Sequence, residues 1–299
     1  MKVYHNSFYA MGSRFNLVLP SSDDELCEQL SNEIEKEVKR LESKLSYFDT
    51  SSQVYRINKE AYKKEIEIDD ELFKIIKTCF KYHEITFGAF DITLRPVIEH
   101  LKSGETHIDS PHSQFDNIIL DESRRTVHYL NNNVKIDFGG FGKGYALEKV
   151  KRLIDSSLFK NAFISFGESS ILVKGSHPKG KFWCVGIKDF YQTESAVHQF
   201  KMVDKSVSSS SNYYLDDNGK LCYKLSIINP FKSVPAEDIS IVSVLSESPL
   251  TAEILSTALL VLEDYKIQEI IRKVECLEVI KIVYNDKVPE KKVFKKGNS

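Results

Sequence analysis

The stretch Lys135–Val150, KIDFGGFGKGYALEKV, sets the terms on which the rest of the chain is read. Gly139, Gly140, Gly142 and Gly144 crowd into it, interrupted by Phe141 and Lys143. Glycine at this density marks a backbone that turns sharply or approaches something closely. An apolar run precedes it, and a helix is predicted after it, from about Tyr145 to Leu158. Two phosphate-loop patterns fail here. A dinucleotide fingerprint started at Gly140 finds Gly142 in place but Tyr145 where its last glycine belongs. A Walker loop needs Ser or Thr after Gly142-Lys143, and Gly144 follows instead. The physical content survives both failures. A glycine loop opening a helix presents free N–H groups and a partial positive charge, and Lys143 adds a full one. That suits an anionic or polar ligand. A tight strand-to-helix turn with a solvated lysine reads equally well from these residues alone.

On the N-terminal side, SRFNLVLP alternates as a strand does, and Asp23–Leu45 carries apolar residues at helical spacing, from Leu26 through Leu30, Ile34, Val38 and Leu41 to Leu45. SYFDTSSQVYRINK reads as a polar loop. Asp69–Thr86 repeats the helical period, and Gly88 introduces a loop and a short helix. FDNIILDESRRTVHYLNNNVKIDF suggests two or three strands joined by turns. On the C-terminal side, NAFISFGESSILVKG is a strand broken at Gly167, and KFWCVGIKD, KLSIINP, ISIVSVLS and EVIKIVYND read as further strands. SVSSSSNYYL reads as a serine loop, and Thr251–Leu262 as a helix. Successive strands with few helices between them favour antiparallel pairing, hence an α+β class with helices flanking largely antiparallel sheets. A single domain over residues 1–290 is expected, with a weak two-lobed boundary near 101–114. The basic tail 291–299 is expected to be disordered.

With 299 residues, 41% hydrophobic and 28% charged, the chain has the composition of a folded globular protein. A formal net charge of −2 gives no bulk footprint for nucleic acid. The five cysteines are odd in number, scattered and free of CxxC, so no disulfide scaffold or zinc ribbon is indicated. No HxxxH pair marks a helical zinc site. No stretch has the length of a membrane span, and the N-terminus shows no signal peptide or lipid-attachment cysteine. A cytoplasmic location is the expectation for the chain as given, although a chain whose leader had been removed would read the same way.

The glycine stretch resembles the DxGGxxKGYAxD segment of the FAD:protein FMN transferases, the ApbE-like flavin transferases, with Asp137, Gly139, Gly140, Lys143, Gly144, Tyr145 and Ala146 in place. Other segments are similar to that family in the family's order. They include AMGSRF around Met11, SYFDTSSQVYRIN around Tyr47, GAFDITLRP with Phe90 and Asp91, and FISFGESS with Phe166, Gly167, Glu168 and Ser169. FWCVGIKD, SSSNYY from Ser209 and Ser210, SIINP from Ser226 to Pro230, and TAEILSTAL with Glu253 and Thr257 continue the series.

The resemblance implies an ApbE-like fold, binding of FAD and magnesium, and transfer of FMN from FAD to a Ser or Thr hydroxyl of an acceptor flavoprotein with release of AMP. By the same resemblance, Met11, Tyr47, Phe90, Asp91, Lys143, Tyr145, Gly167, Glu168, Ser169, Ser209 and Ser210 contact the flavin nucleotide. Glu253 and Thr257, four apart on one helix face, hold the metal with a glycine-loop carbonyl near Phe141 or Gly142. Each residue also has a plainer reading. An acid in a helix's first turn is common, Asp91 suits a helix cap, and aromatic residues in apolar runs are usually core. Three departures stand out. Glu253 replaces the family's aspartate, Ser211 stands where glycine is usual, and Ser226 and Asn229 replace a histidine and an acid. A serine hydroxyl is no base near neutral pH. His198 and His177 are other candidate bases. A metal-dependent FAD pyrophosphatase, a flavin-binding protein without catalysis, and a globular protein with no flavin remain open beside the transferase.

Overall fold

The computed structural model describes residues 2–103, 113–192, 194–216 and 218–296. The chain folds into two compact units, each assembled from separate stretches. The first comprises Met1–Glu42, Phe141–Tyr223 and Asp238–Ser299, and the second Ser43–Gly140 and Lys224–Glu237. The chain thus leaves one unit and enters the other inside the glycine stretch, between Gly140 and Phe141. The passages do not fall at 101–114, of which residues 104–112 lie outside the described residues.

The first unit is organised by an eight-stranded sheet. Its spatial order follows the chain: Tyr4–Ala10, Ser13–Leu19, Ala162–Phe166, Ser170–Lys174, Lys205–Ser211, Ser240–Ser246, Glu278–Asn285 and Val288–Lys295. Every neighbouring pair is antiparallel. Both faces are covered, which is why Ser240–Ser246 is buried at every position. On one face, Phe15, Leu17 and Leu172 pack with Ile34 and Val38 of the helix Asp24–Leu45 and with Leu147 and Val150 of the helix Gly142–Ser156. On the other, Val173, Val207, Ile241 and Ile280 pack with Trp183, Val185 and Phe200 of the hairpin Trp183–Lys188/Ala196–Met202. Consecutive Leu172 and Val173 serve opposite faces, as the two-residue period of a strand requires.

Three expectations change in this unit. The serine run is no loop but the inner strand Lys205–Ser211, bonded to Ser170–Lys174 and Ser240–Ser246. The Ser208, Ser209, Ser210 and Ser211 hydroxyls find partners on neighbouring elements, which offsets the cost of burying them, while Ser206 Oγ is buried without a partner among the described residues. The helix after the glycine loop begins at Gly142, three residues early, because Gly142 and Gly144 form its first turn. The tail is ordered through Lys295: Val288–Lys295 pairs with Glu278–Asn285 across a turn in which Asp286 and Lys287 take positive φ. Residues 297–299 lie outside the described residues.

The second unit holds the helices Gln53–Glu60, Asp70–Ile85 and Arg95–Ser103 with a three-stranded sheet of Ile66–Glu67, Thr126–Tyr129 and Ile118–Asp121. Ser52 and Asp69 cap the first two helices by accepting the Tyr55 and Leu72 N–H groups, each at 2.9 Å. The polar SYFDTSSQVYRINK segment therefore turns into a helix at Gln53. Buried Asn58 donates to the Ile136 carbonyl at 2.9 Å and accepts the Ile136 N–H at 2.8 Å. The apolar run entering the glycine stretch is held by this side chain rather than by a strand, since Val134–Phe138 has no ladder of its own.

Candidate active site

Gly144 explains part of the glycine density. A side-chain carbon on it would lie 2.5 Å from Glu253 Cβ and 3.0 Å from the Pro249 carbonyl. The helix Gly142–Ser156 therefore starts directly against the helix Pro249–Ala258, at a distance only glycine permits. The second helix is fixed by Pro249 at its start and by Ser248, whose hydroxyl accepts the Thr251 N–H at 3.2 Å and donates to Glu148 at 3.0 Å.

This packing leaves Glu253 only 4% exposed. A buried carboxylate is costly unless compensated. Here Lys143 Nζ lies 3.2 Å from Oε1, while the Ser170 and Ser208 hydroxyls both donate to Oε2, the latter at 2.9 Å. Lys143 also donates to Ser169 Oγ at 3.3 Å. A hydroxyl chain continues from Ser208 to Ser256 at 3.2 Å, then to Ser210 at 2.9 Å, and from Ser210 to Thr257 at 3.0 Å. Ser209 bonds Ser243 at 2.7 Å and its N–H donates to the Ser169 carbonyl at 2.8 Å. Lys143, Ser169, Ser210, Glu253 and Thr257 are thus joined in one network. Ser170, Ser208 and Ser256 belong to it as well. The serine run read as a loop in the sequence, and nothing in its spacing marked which hydroxyls turn toward an acid.

Around this network, Met11 adopts φ 49 and donates its N–H to Glu42 at 2.5 Å, while its sulfur lies 3.6 Å from where a Gly142 side chain would be. Gly167 and Glu168 form a turn with φ 63 and 59, the Gly167 N–H donating to the Arg14 carbonyl at 2.8 Å. Tyr145 stacks on Phe141 with ring centroids 5.5 Å apart. Phe166 is fully buried edge-on to Phe15, so it serves the core. His198 sits on the outer hairpin, where burial foremost pushes its imidazole below the ordinary value. His177 packs edge-on to Trp183 and accepts the Lys179 N–H.

The other sequence candidates lie in the second unit. Asp91 Oδ1 accepts both the N–H and the hydroxyl of Thr93, each at 2.6 Å, while Oδ2 is buried without a partner among the described residues. The turn role is therefore real, and one oxygen is left over for a donor from outside. Phe90 is 4% exposed and belongs to the core. Its carbonyl meets His83 Nδ1 at 2.8 Å. A carbonyl only accepts, so that nitrogen carries a proton. Sequence reading passed over His83. Tyr47 is held under the Arg95 guanidinium, 4.7 Å from the ring centre, and its phenol is pushed up to about 12 by burial first and by Glu99 next. Ser226 is exposed. Asn229 closes a turn, its side chain accepting the Phe231 N–H at 3.0 Å and its carbonyl the Ser233 N–H at 2.8 Å.

The donor set around Glu253 suits a hard divalent cation. Among the described residues no three His, Cys, Asp or Glu side chains converge on one point. A single carboxylate and, one helical turn on, the Thr257 hydroxyl are oxygens of the kind magnesium accepts when phosphates and water complete its shell. The position already carries a cation, the Lys143 ammonium.

The sequence matches the ApbE family over residues 11–280. The chain belongs to that family. The FAD:protein FMN transferase of Chlamydia trachomatis serovar D is 26% identical over 249 residues, covering 78% of this chain and 75% of that protein. The enzyme of the same name from Klebsiella pneumoniae is 24% identical over 298 residues, covering 95% and 90%. The ApbE protein of Thermotoga maritima superposes with a TM-score of 0.79 at 23% identity, covering 99% and 97% of the two chains. The flavin transferase ApbE of Vibrio cholerae does so with 0.81 at 20%, covering 98% and 97%. The α+β fold with antiparallel sheets is thereby that of the ApbE proteins.

Proposed function

We propose that this ApbE-family chain is an FAD:protein FMN transferase that uses magnesium and moves FMN from FAD onto a Ser or Thr hydroxyl of an acceptor protein. The observation that carries the reading is the buried network at the opening of the Gly142–Ser156 helix. It sets an anion-seeking ammonium, Lys143, beside a cation-seeking carboxylate, Glu253. In the reaction the acceptor oxygen bonds to the FMN phosphorus, the pyrophosphate bond to the AMP half breaks, and the hydroxyl proton passes to a base.

Lys143 and the free N–H groups of the helix's first turn would bind the pyrophosphate oxygens. Glu253, Thr257 and the Gly142 carbonyl would hold the metal, which when bound neutralises charge on the phosphates. Ser170 and Ser208 hold the Glu253 carboxylate in one orientation. In the second unit, Asp91 keeps an acceptor to offer through its unpartnered Oδ2. Ser226 cannot take the proton, and general-base help is typically worth about a hundred- to ten-thousand-fold.

The runner-up reading, in which water replaces the acceptor and the protein cuts FAD to FMN and AMP, meets the same lack, since water too must lose a proton. Incubation with FAD and magnesium, with and without a Ser/Thr acceptor peptide, separates the two. AMP together with yellow-fluorescent peptide supports transfer, AMP without an acceptor supports hydrolysis, and bound FAD recovered intact after long incubation defeats both.

A further inference from the structure

We propose that Lys143 is the resident cation of the Glu253 half-site, and that it yields Oε1 to a divalent metal only when a phosphate is present to receive it. Metal and FAD then bind as a linked pair. The identity of the two ligands rests on the transferase reading.

The geometry carries the exchange. Glu253 Oε2 is committed to the Ser170 and Ser208 hydroxyls, so Oε1 is the oxygen left to trade. Lys143 holds Oε1 at 3.2 Å, with the Glu253 side chain 6% exposed. A metal arriving alone would place two positive charges on one oxygen with little solvent between them, which is strongly unfavourable. The lysine cannot leave cheaply either. It sits in the first turn of a helix, where the dipole disfavours a cation, and its other partner is the neutral Ser169 hydroxyl. A pyrophosphate resolves both costs, because it gives the ammonium an anion and gives the metal further oxygens. Since linkage is reciprocal, the metal strengthens FAD binding by the factor by which FAD strengthens metal binding.

The test uses the full chain and Mn2+ as probe, with free ion counted by electron paramagnetic resonance in the presence and absence of FAD. The wild type is expected to bind Mn2+ on the order of tenfold more tightly with FAD, within the usual range for linked sites. Lys143→Met is expected to bind Mn2+ without FAD about tenfold more tightly than the wild type, and to lose most of the coupling. Lys143→Gln repeats the measurement in case the first variant folds poorly. Glu253→Gln should lose the ion in every state. The exchange is overturned if both lysine variants bind Mn2+ alone no more tightly than the wild type, or if Glu253→Gln retains the ion. A wild type that binds FAD yet shows unchanged Mn2+ affinity also overturns the linkage, whereas a wild type that binds no FAD sinks the transferase reading and leaves the FAD-free comparison of the lysine variants standing.

Discussion

Gly139 and Gly144 look alike in the sequence and differ sharply in the structure. At Gly139 an added side-chain carbon meets nothing nearer than Asp137 Oδ1 at 3.5 Å, an ordinary contact. At Gly144 it meets Glu253 Cβ at 2.5 Å and the Pro249 backbone at 3.0 Å, so one helix must move. Gly144→Ala is therefore expected to cost about 1–3 kcal/mol in urea denaturation, the usual penalty of overpacking. Gly139→Ala should change stability by no more than about 0.5 kcal/mol. Equal costs would show that the helix contact is not what selects glycine. Tyr47 supports a pH test. Its folded phenol, raised to about 12 chiefly by burial, titrates above its unfolded value near 10. The proton favours the folded state, so this stability is complete below pH ~10 and is lost as pH rises toward ~12. Tyr47→Phe should flatten the fall in urea midpoint across that window, and an unchanged alkaline limb would refute the assignment.

Among the elements, those that bury a continuous apolar stripe were legible. The periods of Asp24–Leu45 and Asp70–Ile85, and the broken strand at Gly167, all stand within a residue or so of their expected limits. The serine strand was not legible, because its alternation lies in hydroxyl partners rather than in hydrophobicity. Ser206 and Ser208 face inward as an apolar residue would, and only the neighbouring Glu253, Ser256 and Ser170 make Ser208 at home there. The tail strand was hidden by its lysines, which suit the outermost strand of a sheet by discouraging further pairing. In the candidate site, motif resemblance reached Lys143 and Glu253 but not Ser170 and Ser208, whose role exists only once the strands are paired. The strand can be tested on its own terms. Ser208→Ala removes one donor from a buried carboxylate and is expected to cost about 1.5–3 kcal/mol. Ser211→Ala removes a neutral bond to the Ser240 carbonyl at the half-buried end and should cost about 1 kcal/mol or less. Denaturant midpoints of the two variants compare them directly, and a reversed order would mean that Glu253 does not depend on the strand.

Across the whole molecule, two units make a single unfolding midpoint an incomplete description, since cooperativity between them is not guaranteed. The composition supplies a selective probe. The chain has one tryptophan, Trp183, and it packs in the first unit with Val173 and Ile241 of the large sheet. Its emission wavelength therefore reports the unit that carries Lys143, Glu253 and Thr257, whereas far-ultraviolet circular dichroism reports both. A ligand bound only by the folded state adds about 2.7 kcal/mol at a hundred times its dissociation constant. For domains of 150–250 residues each kcal/mol moves the melting temperature by roughly 2–4 °C. FAD with magnesium is thus expected to raise the Trp183 transition by at least about 5 °C. The same additions to Glu253→Gln should recover only the smaller rise given by FAD alone. A Trp183 transition that stays in place while the dichroism transition rises would put the nucleotide on the second unit and away from the Lys143–Glu253 network.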